Sequence, residues 1–230
     1  MKERPINFRD WEVRALLAGA KTVTRRPVWP ANSKRDLYPQ DAVHWWEPCR
    51  EPGNEGRWSA KDGIGGIFHI PCPFGVPGDR LWVRETIKAT PGHPGSGQWR
   101  ISYAADDAGV NLSLALPGDK RLRYSLSRQT IPSATMPRWA SRLTLEVASV
   151  RIERLQEIGD EDLDLFGIRC HNCNGFGTVR AHGFFDDCPD DRCGDPAALC
   201  RSQWEADHGK RHPWDSNPWV WRVEHRRVDS

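Results

Sequence analysis

The sequence predicts an α+β fold, a small mixed β-barrel with helices at its ends and long loops. Three observations predict it. The inferred elements run strand, helix, several strands, acidic helix, helix, strand, an order that places helices at the ends of a sheet that curls on itself. The strands are short runs of alternating apolar and polar residues. The stretches between them are rich in Gly, Pro and Trp and almost without periodicity. At 230 residues with 38% hydrophobic content, the chain is long enough to bury a core without disulfide staples. We read residues 1–230 as a single domain with a Cys-rich insert at 169–195.

Pro5–Phe8 reads as a short strand. Asp10 then caps a helix through Ala18, with Trp11, Val13, Ala15, Leu16 and Leu17 as its apolar positions and Gly19 as its stop. Lys21–Val28 is extended and ends at Pro27 and Pro30. Residues 29–78 form a long irregular excursion with one small hairpin near Ile64–Ile70; a loop of this length is usually functional. Arg80–Thr86 follows a Pro-Gly turn as a strand, with Leu81 and Val83 alternating with Trp82 and Arg84, so one face should be buried. Trp99–Tyr103 is the next strand and 104–133 is again loop-like.

Arg142–Arg154 is the clearest strand. Its apolar alternation changes phase near Ala148–Ser149, as a bulge would produce. A short acidic helix covers 159–167, and Cys170–Cys193 is loop-rich. Pro196–His208 is a helix with Leu199, Trp204 and Ala206 inward, and Trp219–Val228 is the closing strand.

Net charge is +2, too small to name a partner, but it is unevenly spread. Residues 1–36 hold nine Lys/Arg against four acids, and 170–200 hold five Asp against two Arg. A basic face is one consequence if this segregation persists in space. Most of the 12 Trp serve packing, and the remainder are available to stack on bases. The first residues, MKERPINFRDWEV, lack the apolar core of a signal peptide. No run reaches the about 18 apolar residues of a membrane span. The expectation is a soluble cytoplasmic protein with no membrane partner.

Five of the seven Cys lie between 170 and 200, and without an export signal such clustering favours metal over disulfides. Cys170 and Cys173 form a CxxC followed by Gly175 and Gly177, which let backbone N–H groups approach the thiolates. Cys188 and Cys193 supply a second pair after a spacer of 14 residues. Together the four suit a closed, zinc-ribbon-like site. Cys200, His171 and His182 are alternatives for one ligand, and free thiols in a loop are the competing reading. Four thiolates leave no open coordination position, so the expected Zn is structural.

The stretch Gly19–Arg26, GAKTVTRR, places Lys21, Thr24 and Arg26 at a helix-to-strand corner. Ammonium, hydroxyl and guanidinium groups all donate hydrogen bonds to anions, although a solvated strand edge uses the same residues. The spacing Gly19-x-Lys21-x-x-Thr24-x-Arg26 resembles the GxKxxTxR signature of the ASCH domain superfamily, relatives of the PUA RNA-binding fold. The resemblance continues in residues 77–86 (PGDRLWVRET), 136–142 (MPRWASR) and 214–221 (WDSNPWVW). These segments are similar to ASCH-like proteins of phages and prophages.

The resemblance implies a PUA-like barrel whose cleft is lined by the Gly19–Arg26 segment. It implies binding of RNA or modified nucleobases, or hydrolysis: some relatives are amidohydrolases acting on N4-acetylcytidine, and others are thought to be ribonucleases. It carries catalytic roles onto Lys21 and Thr24. The acid that relatives hold in the helix after the long central strand is replaced here by Phe166. Glu85 and the acids of 160–164 are the remaining candidates for a third group. Glu85 is equally readable as an ion-pair partner of Arg84 or Arg142.

Two functions follow. As a binder of RNA, other single-stranded nucleic acid or a nucleoside, the chain would use Arg25, Arg26, Arg84 and Arg138 for phosphates, and Trp82, Trp139 and Trp214 for stacking. As an enzyme, Lys21 would act as base, Thr24 as nucleophile or orienting hydroxyl, and Glu85 as the third catalytic group. Binding is the reading we carry forward, because the catalytic set is incomplete. A purely structural viral protein is the third alternative.

Overall fold

The computed structural model describes residues 1–28, 46–49, 56–61, 67–91, 99–112, 130–159, 178–181, 184–187 and 195–228. The expected acidic helix at 159–167 and the ligands Cys170, Cys173, Cys188 and Cys193 fall outside them, apart from Gly159. In chain order the elements begin with β1 (Glu3–Asn7), α1 (Asp10–Leu17), β2 (Val23–Pro27), β3 (Trp46–Pro48), β4 (Arg57–Lys61) and β5 (Ile67–Pro71). Next come β6 (Arg80–Arg84), β7 (Ile87–Pro91), β8 (Trp99–Tyr103), β9 (Gly109–Leu112), β10 (Thr130–Ile131) and β11 (Thr144–Arg154). The last are β12 (Thr178–Ala181), β13 (Phe184–Asp187), α2 (Pro196–His208) and β14 (Trp219–Val228).

The chain is α+β, dominated by strands, and divides into two compact units. The first gathers Met1–Gly19, Asp79–Glu146 and Arg227–Ser230; the second gathers Ala20–Gly78 and Val147–Arg226. No described helix is long and apolar enough to cross a membrane.

In the first unit β1 runs parallel to β6, Glu3 opposite Arg80 and Asn7 opposite Arg84. The first residues of β11 run antiparallel to β6, Thr144 opposite Trp82. With a hydrogen-bonded neighbour on each side, β6 buries Leu81, Trp82 and Val83 alike, not one face as the alternation predicted. A second sheet has the order β10-β7-β8-β9. Its apolar positions Ile87, Ala89, Ile101, Tyr103 and Ile131 form a core with Met136 and Ala140.

Helix α1 begins one residue earlier than a capping Asp10 would require, because Asp10 is already helical and Arg9 is the N-cap. The Arg9 N–H donates to the Glu12 carboxylate at 2.9 Å. This satisfies an amide that the first turn of a helix leaves open.

In the second unit β14 lies beside β11 and pairs antiparallel with β2. Strands β3, β4 and β5 make a meander and β12 with β13 a hairpin. The short hairpin expected near Ile64–Ile70 is thus the β4–β5 part of a three-stranded sheet. Helix α2 has the predicted bounds: Asp195 accepts the Ala198 N–H at 3.0 Å as N-cap, with Pro196 in the first turn. Trp204 packs with Leu155 and Val220, whereas Ala206, expected inward, is exposed and Cys200 takes an inward place.

Among the described residues no sheet closes on itself, so the expected barrel is not formed by them. Closure requires two hydrogen-bonded neighbours for every strand. In the first unit β9 and β10 have one each, and in the second β3 and β5 have one each.

Candidate functional site

Helix α1 stops where the backbone of Gly19 turns to φ +71°, a conformation in which a Cβ is penalised. The chain then enters β2 in the second unit. Its pairing sets Thr24 opposite Val223, Arg25 opposite Arg222 and Arg26 opposite Trp221. Successive side chains of a strand alternate faces, so Thr24 and Arg26 share one face and Arg25 takes the other.

On the Thr24 face, Thr24 Oγ1 and His225 Nε2 share a hydrogen bond of 3.0 Å. His225 lies two residues beyond Val223, the diagonal position that a side chain reaches across an antiparallel pair. The His225 N–H also donates to the Thr22 carbonyl at 2.8 Å, which fixes the strand end. Thr24, Lys21 and His225 are all buried. The motif that reads as a solvent-facing cation cluster is therefore largely covered, and Arg26 alone of Lys21, Thr24, Arg25 and Arg26 is half-buried.

On the opposite face Arg25 is wholly enclosed and its Nε donates to Glu153 Oε1 at 2.7 Å. Glu153 also accepts from Arg151 at 2.7 Å and lies 4.0 Å from Arg222 Nε. Arg222 is further paired with Glu224, which accepts from Ser149 Oγ at 2.7 Å. Two like charges directly opposite on paired strands repel; the Glu153 carboxylate offsets that repulsion between Arg25 and Arg222. Arg25, read from sequence as a phosphate ligand, is thus bound inside the unit. The Arg222 bond and then the Ser149 bond hold the Glu224 carboxyl below its ordinary range.

Cys200 of α2 lies in the same unit. Burial raises its thiol to about 11, against the opposing pull of the Arg25 and Lys21 charges. Trp214 is half-buried and packs against the Leu155, Trp204 and Val220 cluster, so its ring is a packing element.

The other candidates lie in the first unit. Arg142 donates to both oxygens of Glu85, each at 2.8 Å, and to both of Asp106 at 2.8 and 3.0 Å. Its guanidinium also covers the Tyr103 ring at 3.9 Å. Glu85 is buried; that burial raises its carboxyl, partly countered by the Arg142 bonds. Asp106 is shifted downward chiefly by its bond from Arg142, and the two carboxylates hold the guanidinium firmly protonated. Glu85 is therefore an ion-pair partner of Arg142, one of the two partners its position in sequence allowed.

Four predicted ligand-binding residues come together in this unit. The guanidinium carbons of Arg84 and Arg138 lie 4.6 and 5.8 Å from the centre of the Trp82 ring. Arg138 donates to both oxygens of Glu3 at 3.1 and 3.3 Å, and Arg84 donates to the Ala134 carbonyl at 3.2 Å. Trp139, adjacent to Arg138 on a 3-10 turn, is 45% exposed. It is the one Trp classed as exposed among those whose surroundings are described.

Sequence reasoning did not select His225, Glu153 or Arg222. The signal for them was present in the alternation of WVWRVEHRRV, which sets charged residues among apolar ones in a strand. Their partners Thr24 and Arg25, however, stand far away in the chain. Comparison with protein-family models, curated proteins and solved structures gave no match.

Proposed function

We propose that the chain binds nucleic acid, RNA or a modified nucleobase, as an ASCH/PUA-like protein of phage or prophage type. The observation that carries this reading is the Trp82–Arg84–Arg138 cluster with exposed Trp139 beside it. An exposed indole offers a face to an unpaired base, and each such stack contributes about 1–3 kcal/mol. The neighbouring guanidiniums supply charge for the phosphate backbone. Zn held by Cys170, Cys173, Cys188 and Cys193 belongs to this proposal as a folding element.

The test is fluorescence anisotropy of labelled single-stranded RNA and DNA over a salt series. Affinity should fall steeply as salt rises, and Trp139→Ala should weaken binding about tenfold. Affinity indifferent to both salt and Trp139→Ala would remove this reading.

One observation favours hydrolysis of a modified nucleoside or RNA instead. With Nε2 unprotonated, His225 accepts the Thr24 hydroxyl proton across the 3.0 Å bond, the arrangement that turns a Thr hydroxyl into a nucleophile. Lys21, on the same segment, remains the charged partner. Turnover of N4-acetylcytidine by the wild type, abolished in Thr24→Val and Lys21→Ala, is the expected outcome of this second reading. Absence of turnover in the wild type sinks it.

A further inference from the structure

The second unit contains a cavity of about 580 Å³, within the range of about 300–1,000 Å³ typical of small-molecule sites. Arg26 lines it from β2, the last residue of the GAKTVTRR stretch and on the face that carries Thr24. Lys210 and Arg211 line it from the segment after α2, together with His208 and His212. Pro27, Pro73 and Phe74 form its apolar wall. Among the lining residues the permanent cations are Arg26, Lys210 and Arg211, and the single carboxylate is Asp207.

The rim at the end of α2 is built in detail. The N–H groups of Arg211 and His212 both donate to the His208 carbonyl, at 3.0 and 2.9 Å. The Trp204 indole N–H donates to the His212 carbonyl at 2.7 Å, and its ring meets the His208 ring at 4.5 Å between centres. Gly209 keeps helical dihedrals but packs closely on the last turn of α2: a Cβ there would stand 2.6 Å from the Glu205 carbonyl oxygen. Cations after a helix C-terminus are favoured by the helix dipole alone. That effect does not account for Arg26, which comes from a strand, or for the apolar wall of Phe74 and the prolines.

We propose that this cavity binds a phosphate-bearing nucleotide, either free or as the phosphorylated end of a strand. The shared chemistry is a planar ring beside Phe74 and a phosphate among Arg26, Lys210 and Arg211, the groups that pair with phosphate oxygens most strongly. Asp207 repels phosphate and accepts hydrogen bonds from amino or hydroxyl groups, so the ligand enters in one orientation. The nucleotide class rests on the nucleic-acid reading above; the cation and ring requirement does not.

The test is calorimetric titration of the full chain with adenosine 5′-monophosphate, adenosine and inorganic phosphate. The nucleotide should bind at least about tenfold tighter than either fragment. Lys210→Ala with Arg211→Ala, two exposed positions, should weaken it by a further factor of about ten and flatten its salt dependence. Phe74→Ala should bring it down to the level of phosphate alone.

Nucleotide binding no tighter than phosphate, or undiminished in the double variant, overturns the proposal. A 5′-phosphorylated oligoribonucleotide that displaces the nucleotide, where its unphosphorylated form does not, assigns the site to strand ends. Equal failure of both oligonucleotides assigns it to free nucleotide. RNA binding by the wild type without nucleotide binding defeats this inference alone. Nucleotide binding without RNA binding defeats only the nucleic-acid reading.

Discussion

Thr24 Oγ1 and His225 Nε2 meet at 3.0 Å across 201 positions of sequence. The bond ties the start of β2 to β14 at a point where both side chains are buried. Thr24→Val keeps the shape and removes the hydroxyl, leaving the imidazole nitrogen without that partner. The expected loss is about 1–3 kcal/mol, read as a lower urea midpoint at unchanged slope. Thr24→Ser should recover most of it, which separates the hydrogen bond from the loss of volume.

Removing the Glu153 carboxylate should be more damaging. Glu153→Gln leaves Arg25 charged and enclosed opposite Arg222, and breaking a buried pair in this way costs about 3–5 kcal/mol. Replacing both members by apolar residues, Arg25→Met with Glu153→Leu, should be milder than the single change. A double-mutant cycle on the denaturation midpoints measures the coupling.

Acid stability should depend on Asp106 and Glu85 with opposite signs. Bonding from Arg142 lowers the folded Asp106 below its ordinary 3.8. Its contribution is therefore present above pH 3.8 and disappears as pH falls through the folded value. Burial raises Glu85 above 4.5, so its contribution is full below pH 4.5 and declines as pH rises through its folded value. The difference in urea midpoint between wild type and Asp106→Asn should be constant from pH 7 to about 4 and shrink below 3.8. A difference unchanged down to pH 2 would show that Asp106 is not held by Arg142.

Cys200 should be inert in the native chain. A thiol raised to about 11 by burial has almost no thiolate at pH 8, and thiolate is the reacting species. Peptide mapping after brief iodoacetamide treatment should find Cys200 unlabelled at pH 8 and labelled after addition of urea. Labelling as fast as that of Cys49, which is half-buried, would contradict the burial.

What the sequence revealed was local. Pro196 marks the start of α2, Gly19 closes α1, and the alternation of TLEVASVRIER marks the long strand β11; each signal lies within a few residues of the element it governs. The GAKTVTRR stretch was legible as a chemically loaded segment but not as a covered one. The residues that cover it lie on β14 and β11, and Glu153 meets Arg25 from 128 positions away. Similarly, Arg142 stood among the foreseeable partners of Glu85, while the second carboxylate, Asp106, falls in a stretch read as loop. Barrel closure was expected from element order, which counts strands without specifying which edges find partners.

The division of the chain also governs the order in which it can fold during synthesis. The first unit is nearly complete once residue 146 has been made, because Met1–Gly19 can then join Asp79–Glu146. Strand β2, in Ala20–Gly78, must wait for its partner β14, in Val147–Arg226, before the second unit is complete. Closing that long excursion costs little more entropy than closing a shorter one, but it delays the contacts of β2 with β14 until Trp219–Val228 has been made. A ribosome stalled before β14 has emerged would therefore carry one folded unit and a GAKTVTRR segment without its partner strand.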